Sequence, residues 1–203
     1  MEAIPMIKPE IPKLRFAEAA PQVWDALGNL RRTGWVNRKV ENPETVQEHT
    51  IALRDIAATM DGLSEQERDG LLDMLEVHDW PEAIHGDEVI LSVDEQEHKA
   101  LHMSKFEKEQ AALVSICASL GEKGEEILGL WRRFEAAADP ASIFAKQLDK
   151  YQAIEKALEY EKAQGMPLFK EFLDYSRAKI SHPALLRRIE GLERQFEAFQ
   201  AER

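Results

Sequence analysis

The stretch Ser64-Glu-Gln-Glu-Arg-Asp-Gly-Leu-Leu-Asp-Met-Leu-Glu-Val-His-Asp-Trp-Pro81 decides the fold class, because it contains the start, the body and the end of one amphipathic helix. Ser64 and Glu67 have the spacing of a capping box, in which each side chain accepts a hydrogen bond from the other residue's backbone amide. Apolar residues then recur at three- and four-residue steps. Pro81 has no backbone N–H and clashes with the preceding turn, so we expect the helix to end or kink near Trp80.

Similar helix signals recur along the rest of the chain. Thr45 with Glu48 and Ser92 with Glu95 repeat the capping-box spacing, and Asp139-Pro140 places a capping residue before a first-turn proline. Near the C-terminus, helical spacing of apolar residues predicts one amphipathic helix that contains Leu185, Ile189, Leu192, Phe196 and Phe199. Its two phenylalanines add apolar surface that favours a C₂ homodimer.

The predicted fold is all-α, a single compact helical domain over residues 15–203. Residues 1–14 contain Pro5, Pro9 and Pro12 and are predicted to form a flexible N-terminal arm. No segment alternates with period two for long, and the best strand candidate, residues 88–93, is short and alone. A chain of 203 residues can bury one sizeable core.

Composition narrows the classes of partner. A formal net charge of −12 argues against a nucleic-acid polymer, because such binding needs a basic surface, whereas a few local cations suffice for one small phosphorylated substrate. No apolar run approaches the length of about 20 residues that spans a bilayer, so no membrane partner is expected. The single cysteine, Cys117, and an N-terminus without an apolar signal core predict a cytoplasmic protein.

Two histidines and two aspartates have the positions expected of metal ligands. His78 shares the buried stripe of its helix, and Asp79 beside it is costly near a core unless it is paired or binds a metal. His49 lies on the inward face of the helix that Thr45 begins, and Asp149 has alanines one turn away on either side. Two imidazoles and two carboxylates suit a divalent transition ion. Taken one by one, the residues favour the alternative of hydrogen-bonded core histidines and surface or capping aspartates.

The order of these residues resembles the HD superfamily of metal-dependent phosphohydrolases, named after the His-Asp pair. A closer resemblance is to the HD-domain 5′-deoxynucleotidases, whose sequence blocks follow one another here from about residue 23 to residue 192. The blocks are Arg32-Thr-Gly-Trp35, Pro43-Glu-Thr-Val-Gln-Glu-His49, His78-Asp-x-x-Glu82 with Gly86-Asp87, Leu130-Trp-Arg-Arg-Phe-Glu135, Lys146-Gln-Leu-Asp149 running on to Glu159-Tyr-Glu161, and His182-Pro183.

The resemblance implies an α-helical homodimer that removes phosphate from deoxyribonucleoside 5′-monophosphates. It implies two catalytic carboxylates, with Glu82 at the attacking water and Asp87 aligning the attack or protonating the leaving 5′-oxygen. It also implies one divalent ion, for which this ligand chemistry favours Mn²⁺, Co²⁺, Fe²⁺ or Zn²⁺ over Ca²⁺. The implied ligands are His49, His78, Asp79 and Asp149.

Substrate contacts are implied for two residues of the first block. Arg32 resembles a phosphate-binding arginine of the family, although in some relatives the arginine directly precedes the tryptophan and here Gly34 fills that place. Arg31 and Arg38 are therefore rivals for the phosphate. Trp35 is predicted to wall the sugar or base pocket, with core packing as the alternative.

Two further histidine-containing segments and two rival functions remain open at this point. His85 is a candidate ligand for a second ion or a solvated loop residue, and the helix with His98, His102 and Lys105 is interpreted as a solvated face. The rival functions are hydrolysis of a different nucleotide by the same fold and nucleotide binding without catalysis. Dinuclear relatives need extra ligands, for which only His85 is available, and the retained Glu82 favours an active monophosphatase.

Overall fold

Helices make up most of the computed structural model, which describes residues 13–90 and 94–202. Within these ranges the only pairing of extended backbone is an isolated antiparallel bridge between Arg31 and Thr45, so the all-α prediction is confirmed. Residues 88–90 of the strand candidate form no strand, and residues 91–93 lie outside the described residues. The helices are α1 (Pro21–Asn29), α2 (Thr33–Val36), α3 (Val46–Ala58), α4 (Glu65–Val77), α5 (Glu82–His85), α6 (Glu95–Cys117), α7 (Glu122–Ala136), α8 (Pro140–Gln164), α9 (Phe169–Arg177) and α10 (Pro183–Ala201).

The predicted starts of α3, α4 and α8 are confirmed. Complete capping boxes begin at Thr45 and Ser64, and the Asp139 carboxylate accepts two backbone amides at the start of α8. The predicted cap of α6 was wrong. Its N-cap is Asp94, whose carboxylate accepts the Glu97 amide, so the helix begins two residues later than a cap at Ser92 requires.

The central helix of the fold is α8, which contacts α3, α4, α7, α9 and α10. Its apolar stripe joins the largest core cluster, where Ala145, Leu148 and Ile154 are fully buried. A second cluster surrounds Trp80 and Trp131, which are also fully buried. The site residues on α3, α4 and α8 therefore lie where three helices meet. None of the described helices combines the length and apolar character needed to cross a membrane.

The C-terminal helix packs within the chain. Gln147 on α8 accepts the Ser181 and His182 amides and so holds the start of α10. Phe196 lies against the Phe169 ring at a centroid distance of 4.9 Å, and Phe199 is partly buried. The apolar surface from which we predicted a dimer is thus largely covered by the fold itself.

A buried carboxylate anchors the first described residues. Glu76 on α4 is completely buried and accepts backbone amides of Arg15, Phe16 and Ala17 at 2.7–2.9 Å. The Arg54 guanidinium lies 3.8 Å from the same carboxylate. Of the arm predicted for residues 1–14, only Lys13 and Leu14 belong to the described part, and residues 1–12 lie outside it.

We expect Glu76→Ala to lower the free energy of unfolding by about 3–5 kcal/mol, since it leaves two buried amides and one partly buried amide without an acceptor and removes the carboxylate beside Arg54. Chemical denaturation measures the change. The matched control is Asp69→Ala, which removes an exposed carboxylate from the same helix and should change stability by less than about 0.5 kcal/mol. A loss below about 1 kcal/mol for Glu76→Ala would contradict the anchoring role.

Candidate metal centre and active site

The fold brings the two predicted histidine ligands face to face. His49 lies in the first turns of α3, and His78 is the capping residue at the end of α4, directly before the turn that Pro81 requires. Both side chains are buried, and their ring centroids are 5.5 Å apart. Phe134 of α7 packs on the His78 ring at a centroid distance of 5.0 Å. This contact accounts for the phenylalanine in the sequence block of residues 130–135.

The Asp79 carboxylate lies close to both imidazoles. Its Oδ2 lies 3.0 Å from His78 Nε2 and 3.8 Å from His49 Nε2. Ligand atoms about 2.1 Å from a common ion are separated by about 3–3.5 Å, so this spacing suits a first-row transition metal. His49, His78 and Asp79 form a group whose potential ligand atoms lie within 4.8 Å of one another.

Asp149 stands at the edge of this group. Its Oδ1 lies 3.3 Å from His49 Nε2, while Oδ2 accepts a hydrogen bond from Lys150 Nζ at 2.8 Å. Although burial opposes ionisation, the charge of Lys150 holds the pKa of Asp149 well below its ordinary value. The carboxylate is therefore an anion that faces the centre, and its role as the fourth ligand stays a prediction.

The imidazole tautomers fit a metal ion. His78 Nδ1 donates to the backbone oxygen of Leu75 at 2.7 Å, and His49 Nδ1 lies 2.8 Å from the Gln152 side-chain oxygen. The backbone oxygen of Leu75 can only accept, so His78 Nδ1 carries a proton, and an amide oxygen facing His49 Nδ1 favours the same tautomer there. Both Nε2 atoms are buried without a hydrogen-bond partner. Such buried acceptors are costly unless something binds them, and a cation is the partner that their aspartate neighbours favour.

Glu82 provides a protonatable carboxylate beside the centre. It begins α5, is buried, and has one side-chain oxygen without a hydrogen-bond partner. Burial, together with the charges of Asp79 and Asp87, raises the pKa of Glu82 well above its ordinary value, against the opposing effect of Arg32 and Lys105. A carboxylate whose pKa is raised takes up a proton more readily than an exposed glutamate, which suits an acid–base role.

Asp87 connects the loop after α5 to the start of α2. Its Oδ2 accepts the Thr33 amide at 2.6 Å, and its backbone oxygen accepts the Thr33 hydroxyl at 2.7 Å. One carboxylate oxygen is therefore committed to holding α2, directly beside Arg32. The predicted part of Asp87 in catalysis stays a prediction.

Arg32 faces the acidic cluster. Its Nη1 lies 3.2 Å from Asp79 Oδ2, and its side chain is largely buried. Although burial disfavours the charged guanidinium, the charges of Asp79 and Asp149 raise the pKa of Arg32 above its ordinary value. The backbone amide of Arg32 donates to the carbonyl oxygen of Glu44, next to the bridge that aligns these two segments.

The two rival arginines point elsewhere. Arg31 donates to the backbone oxygen of Pro43 at 2.5 Å, and Arg38 pairs with Glu171 at the surface. Of the three arginines, Arg32 is therefore the one whose guanidinium lies against a proposed metal ligand.

Trp35 is buried among aromatic side chains. Its side chain is only 2% exposed, stacks on Phe172 at 4.4 Å and meets the edge of Tyr160 at 5.2 Å. Its indole Nε1 donates to Glu44 Oε1 at 3.0 Å. This placement agrees with the core-packing alternative, and a contact with substrate stays a prediction.

Sequence reasoning assigned no role to several polar residues around the centre. Glu44 and Gln152 are buried behind His49, and Lys150 pairs with Asp149. Gln152 lies three residues after Asp149 within an apolar helical stripe, and this spacing is the signal that could have identified it.

The solvated-face interpretation of α6 was wrong for Lys105. Its ammonium donates to the backbone oxygen of Glu88 at 2.9 Å and lies 3.3 Å from Glu109, a buried carboxylate one turn away. His98 and His102 contact each other through their Nε2 atoms at 3.0 Å. His85 is partly buried, with Nδ1 3.0 Å from the Gly86 carbonyl oxygen.

Comparisons with known proteins agree with this geometry. The HD domain family model matches residues 24–185. The 5′-deoxynucleotidase HDDC2 of Mus musculus is 32% identical over 191 residues, which cover 93% of this chain and 90% of the mouse protein. The protein of the same name from Dictyostelium discoideum is 31% identical over 169 residues, which cover 77% of this chain and 86% of that protein. A solved structure from Pyrococcus horikoshii, 24% identical, shares the fold with a TM-score of 0.64 over 87% of this chain and 98% of its own. The chain therefore belongs to the HD domain family.

Proposed function

We propose that this protein is a metal-dependent 5′-deoxynucleotidase that hydrolyses deoxyribonucleoside 5′-monophosphates to deoxynucleoside and phosphate. The observation that carries the proposal is the pair of buried histidine Nε2 atoms without hydrogen-bond partners beside Asp79 and Asp149, with Arg32 and Glu82 at the same centre. The substrate class comes from the names of relatives that align along most of the chain.

Each site residue has a chemical task in this proposal. His49, His78, Asp79 and Asp149 would hold a divalent ion, which supplies Lewis acidity and lowers the pKa of a bound water when present. Arg32 binds the substrate phosphate, for which a guanidinium has matching geometry and charge. Glu82 accepts the proton of the attacking water. Asp87, which also holds α2 beside Arg32, aligns the attack or protonates the leaving 5′-oxygen.

Phosphate release from a matched panel of deoxy- and ribonucleoside 5′-monophosphates tests the proposal. We expect release from the deoxynucleotides with the metal-loaded protein. Cleavage of only nucleoside triphosphates or cyclic dinucleotides, measured by chromatography of the nucleotide products, would identify a different HD phosphohydrolase. Tight nucleotide binding with no release under any metal would indicate a binding protein instead.

We expect activity to be lost after chelation and restored by Mn²⁺, Co²⁺, Fe²⁺ or Zn²⁺, but not by Ca²⁺, because two imidazole ligands favour transition ions. Add-back of single metals with elemental analysis measures this dependence. Full activity in a sample shown to be metal-free would exclude the proposed mechanism.

The proposal includes a cytoplasmic homodimer. Its support is the family resemblance, one buried free cysteine, Cys117, and the exposed apolar side chains Leu101 and Met103 on α6. Light scattering over a wide concentration range tests the assembly, and a constant mass of 23.2 kDa would contradict it.

A further inference from the structure

A buried chain of polar side chains runs behind the candidate metal centre, from Trp35 through Glu44 and Gln152 to His49. Trp35 Nε1 donates to Glu44 Oε1 at 3.0 Å, and Gln152 Nε2 donates to Glu44 Oε2 at 3.1 Å. Gln152 Oε1 then lies 2.8 Å from His49 Nδ1. All four side chains are buried, so their hydrogen bonds do not exchange freely with water.

The donors and acceptors in this series of side chains determine the direction of each hydrogen bond. An indole N–H can only donate, and an ionised carboxylate can only accept. Glu44 therefore draws the amino group of Gln152 toward itself, which leaves the amide oxygen of Gln152 facing His49. Lys156 Nζ lies 3.9 Å from Glu44 Oε2, so a positive charge stands beside this carboxylate. The nitrogen that faces an amide oxygen must carry a proton, so the lone pair of His49 is on Nε2.

The tautomer of His78 does not depend on the orientation of a side-chain amide. Its Nδ1 faces the backbone oxygen of Leu75, which can only accept, so its tautomer is fixed by the helix itself. The partner of His49 is a side-chain amide, whose two ends are nearly equal in shape and opposite in hydrogen bonding. The tautomer of His49 therefore depends on whatever orients that amide.

We propose that Glu44 and Gln152 are positioning residues that fix the proton of His49 on Nδ1 and thereby keep its Nε2 available to a metal ion. The inference deepens the proposed metal-dependent function and rests on it. Glu44 acts here through two intermediates, Gln152 and His49, and it does so by the direction of its hydrogen bonds.

The decisive variant is Glu44→Gln, which keeps the shape of the side chain but replaces an acceptor-only group with an amide that can also donate. The new amide would give its oxygen to Trp35 and its amino group to Gln152. Gln152 would then turn its own amino group toward His49 Nδ1, which moves the imidazole proton to Nε2. We expect affinity for Co²⁺ to fall about 10- to 100-fold, the usual loss when an outer partner of a ligand is removed.

Two readouts test this without relying on activity. Long-range ¹⁵N–¹H spectra of histidine-labelled, metal-free protein report which ring nitrogen of His49 carries the proton. Absorption titration with Co²⁺ of the same samples reports affinity. A proton on Nε2 of His49 in the metal-free parent protein would overturn the proposal without any variant.

The double variant Glu44→Gln with Gln152→Glu provides a rescue. The carboxylate moves one position along the chain of hydrogen bonds, where it can accept both the amino group of residue 44 and the Nδ1 proton of His49. Lys156 lies one helical turn from residue 152, so the carboxylate keeps a nearby cation. We expect the Nδ1 proton and the parent Co²⁺ affinity to return. A double variant that binds Co²⁺ as weakly as Glu44→Gln would overturn the proposal.

Glu161→Gln is the matched control, because it neutralises a different buried carboxylate. Glu161 lies on α8 and accepts the Leu168 and Phe169 amides away from the centre. The control variant should leave the His49 tautomer and Co²⁺ affinity unchanged. If the parent shows the expected tautomer and Co²⁺ binding but releases no phosphate from nucleotides, the proposed function fails and this inference stands. If Glu44→Gln changes neither readout in an active enzyme, the inference fails and the function stands.

Discussion

Glu82→Gln is expected to lower kcat by about 10²–10⁴-fold while metal content and nucleotide affinity remain close to those of the parent protein. The glutamine keeps the volume of the side chain at the start of α5 but can no longer accept a proton from water. Glu82 lies outside the compact group of His49, Asp79 and His78, so the ion should not depend on it. Single-turnover phosphate release and elemental analysis on the same preparation measure the two effects.

The matched control for this variant is Glu88→Gln, in the segment that follows α5. It neutralises a half-exposed carboxylate, which pairs with Lys108 at 3.6 Å. Turnover should stay at the parent level. Substantial activity in Glu82→Gln would transfer the proton-handling role to Asp87, and loss of the ion would make Glu82 a ligand instead.

Asp149→Asn is expected to reduce metal occupancy and activity together. The substitution keeps the shape of the side chain and removes an anion that lies 3.3 Å from His49 Nε2. We expect metal affinity to fall at least about 100-fold, the upper end of the loss for an outer partner of a ligand. Isothermal titration of chelator-stripped protein with Mn²⁺ or Zn²⁺ measures the change.

The two variants give opposite patterns if the tasks are divided as proposed. Glu82→Gln separates binding from turnover, whereas Asp149→Asn lowers both. An Asp149→Asn protein that retains metal and rate would restrict Asp149 to its ion pair with Lys150.

Local sequence signals were sufficient for the fold class, whereas the candidate centre was assigned through the family resemblance. Capping boxes and helical periodicity are short-range features, so the starts of α3 and α4 followed directly from the sequence. The inward positions of His49 and His78 followed from the same periodicity. The α6 start was missed because Ser92 and Asp94 are both good capping residues, and only the complete structure selects between them.

Residues that act through long-range contacts were harder to predict. Glu44 and Gln152 are far apart in sequence and meet only because α8 packs against the segment before α3. For Trp35 the sequence left pocket wall and core packing open, because tryptophan suits both and its neighbours Phe172 and Tyr160 are distant in sequence. Lys105 resembled a surface lysine because its partner, the backbone oxygen of Glu88 in the segment after α5, could not be identified from sequence spacing.

Anomalous diffraction from crystals of the protein loaded with Mn²⁺ or Co²⁺ tests the central claim most directly. The account predicts one anomalous peak per chain, within coordination distance of His49 Nε2, His78 Nε2 and carboxylate oxygens of Asp79 and Asp149. No peak at this position, or a peak only beside His98 and His102 on α6, would contradict it.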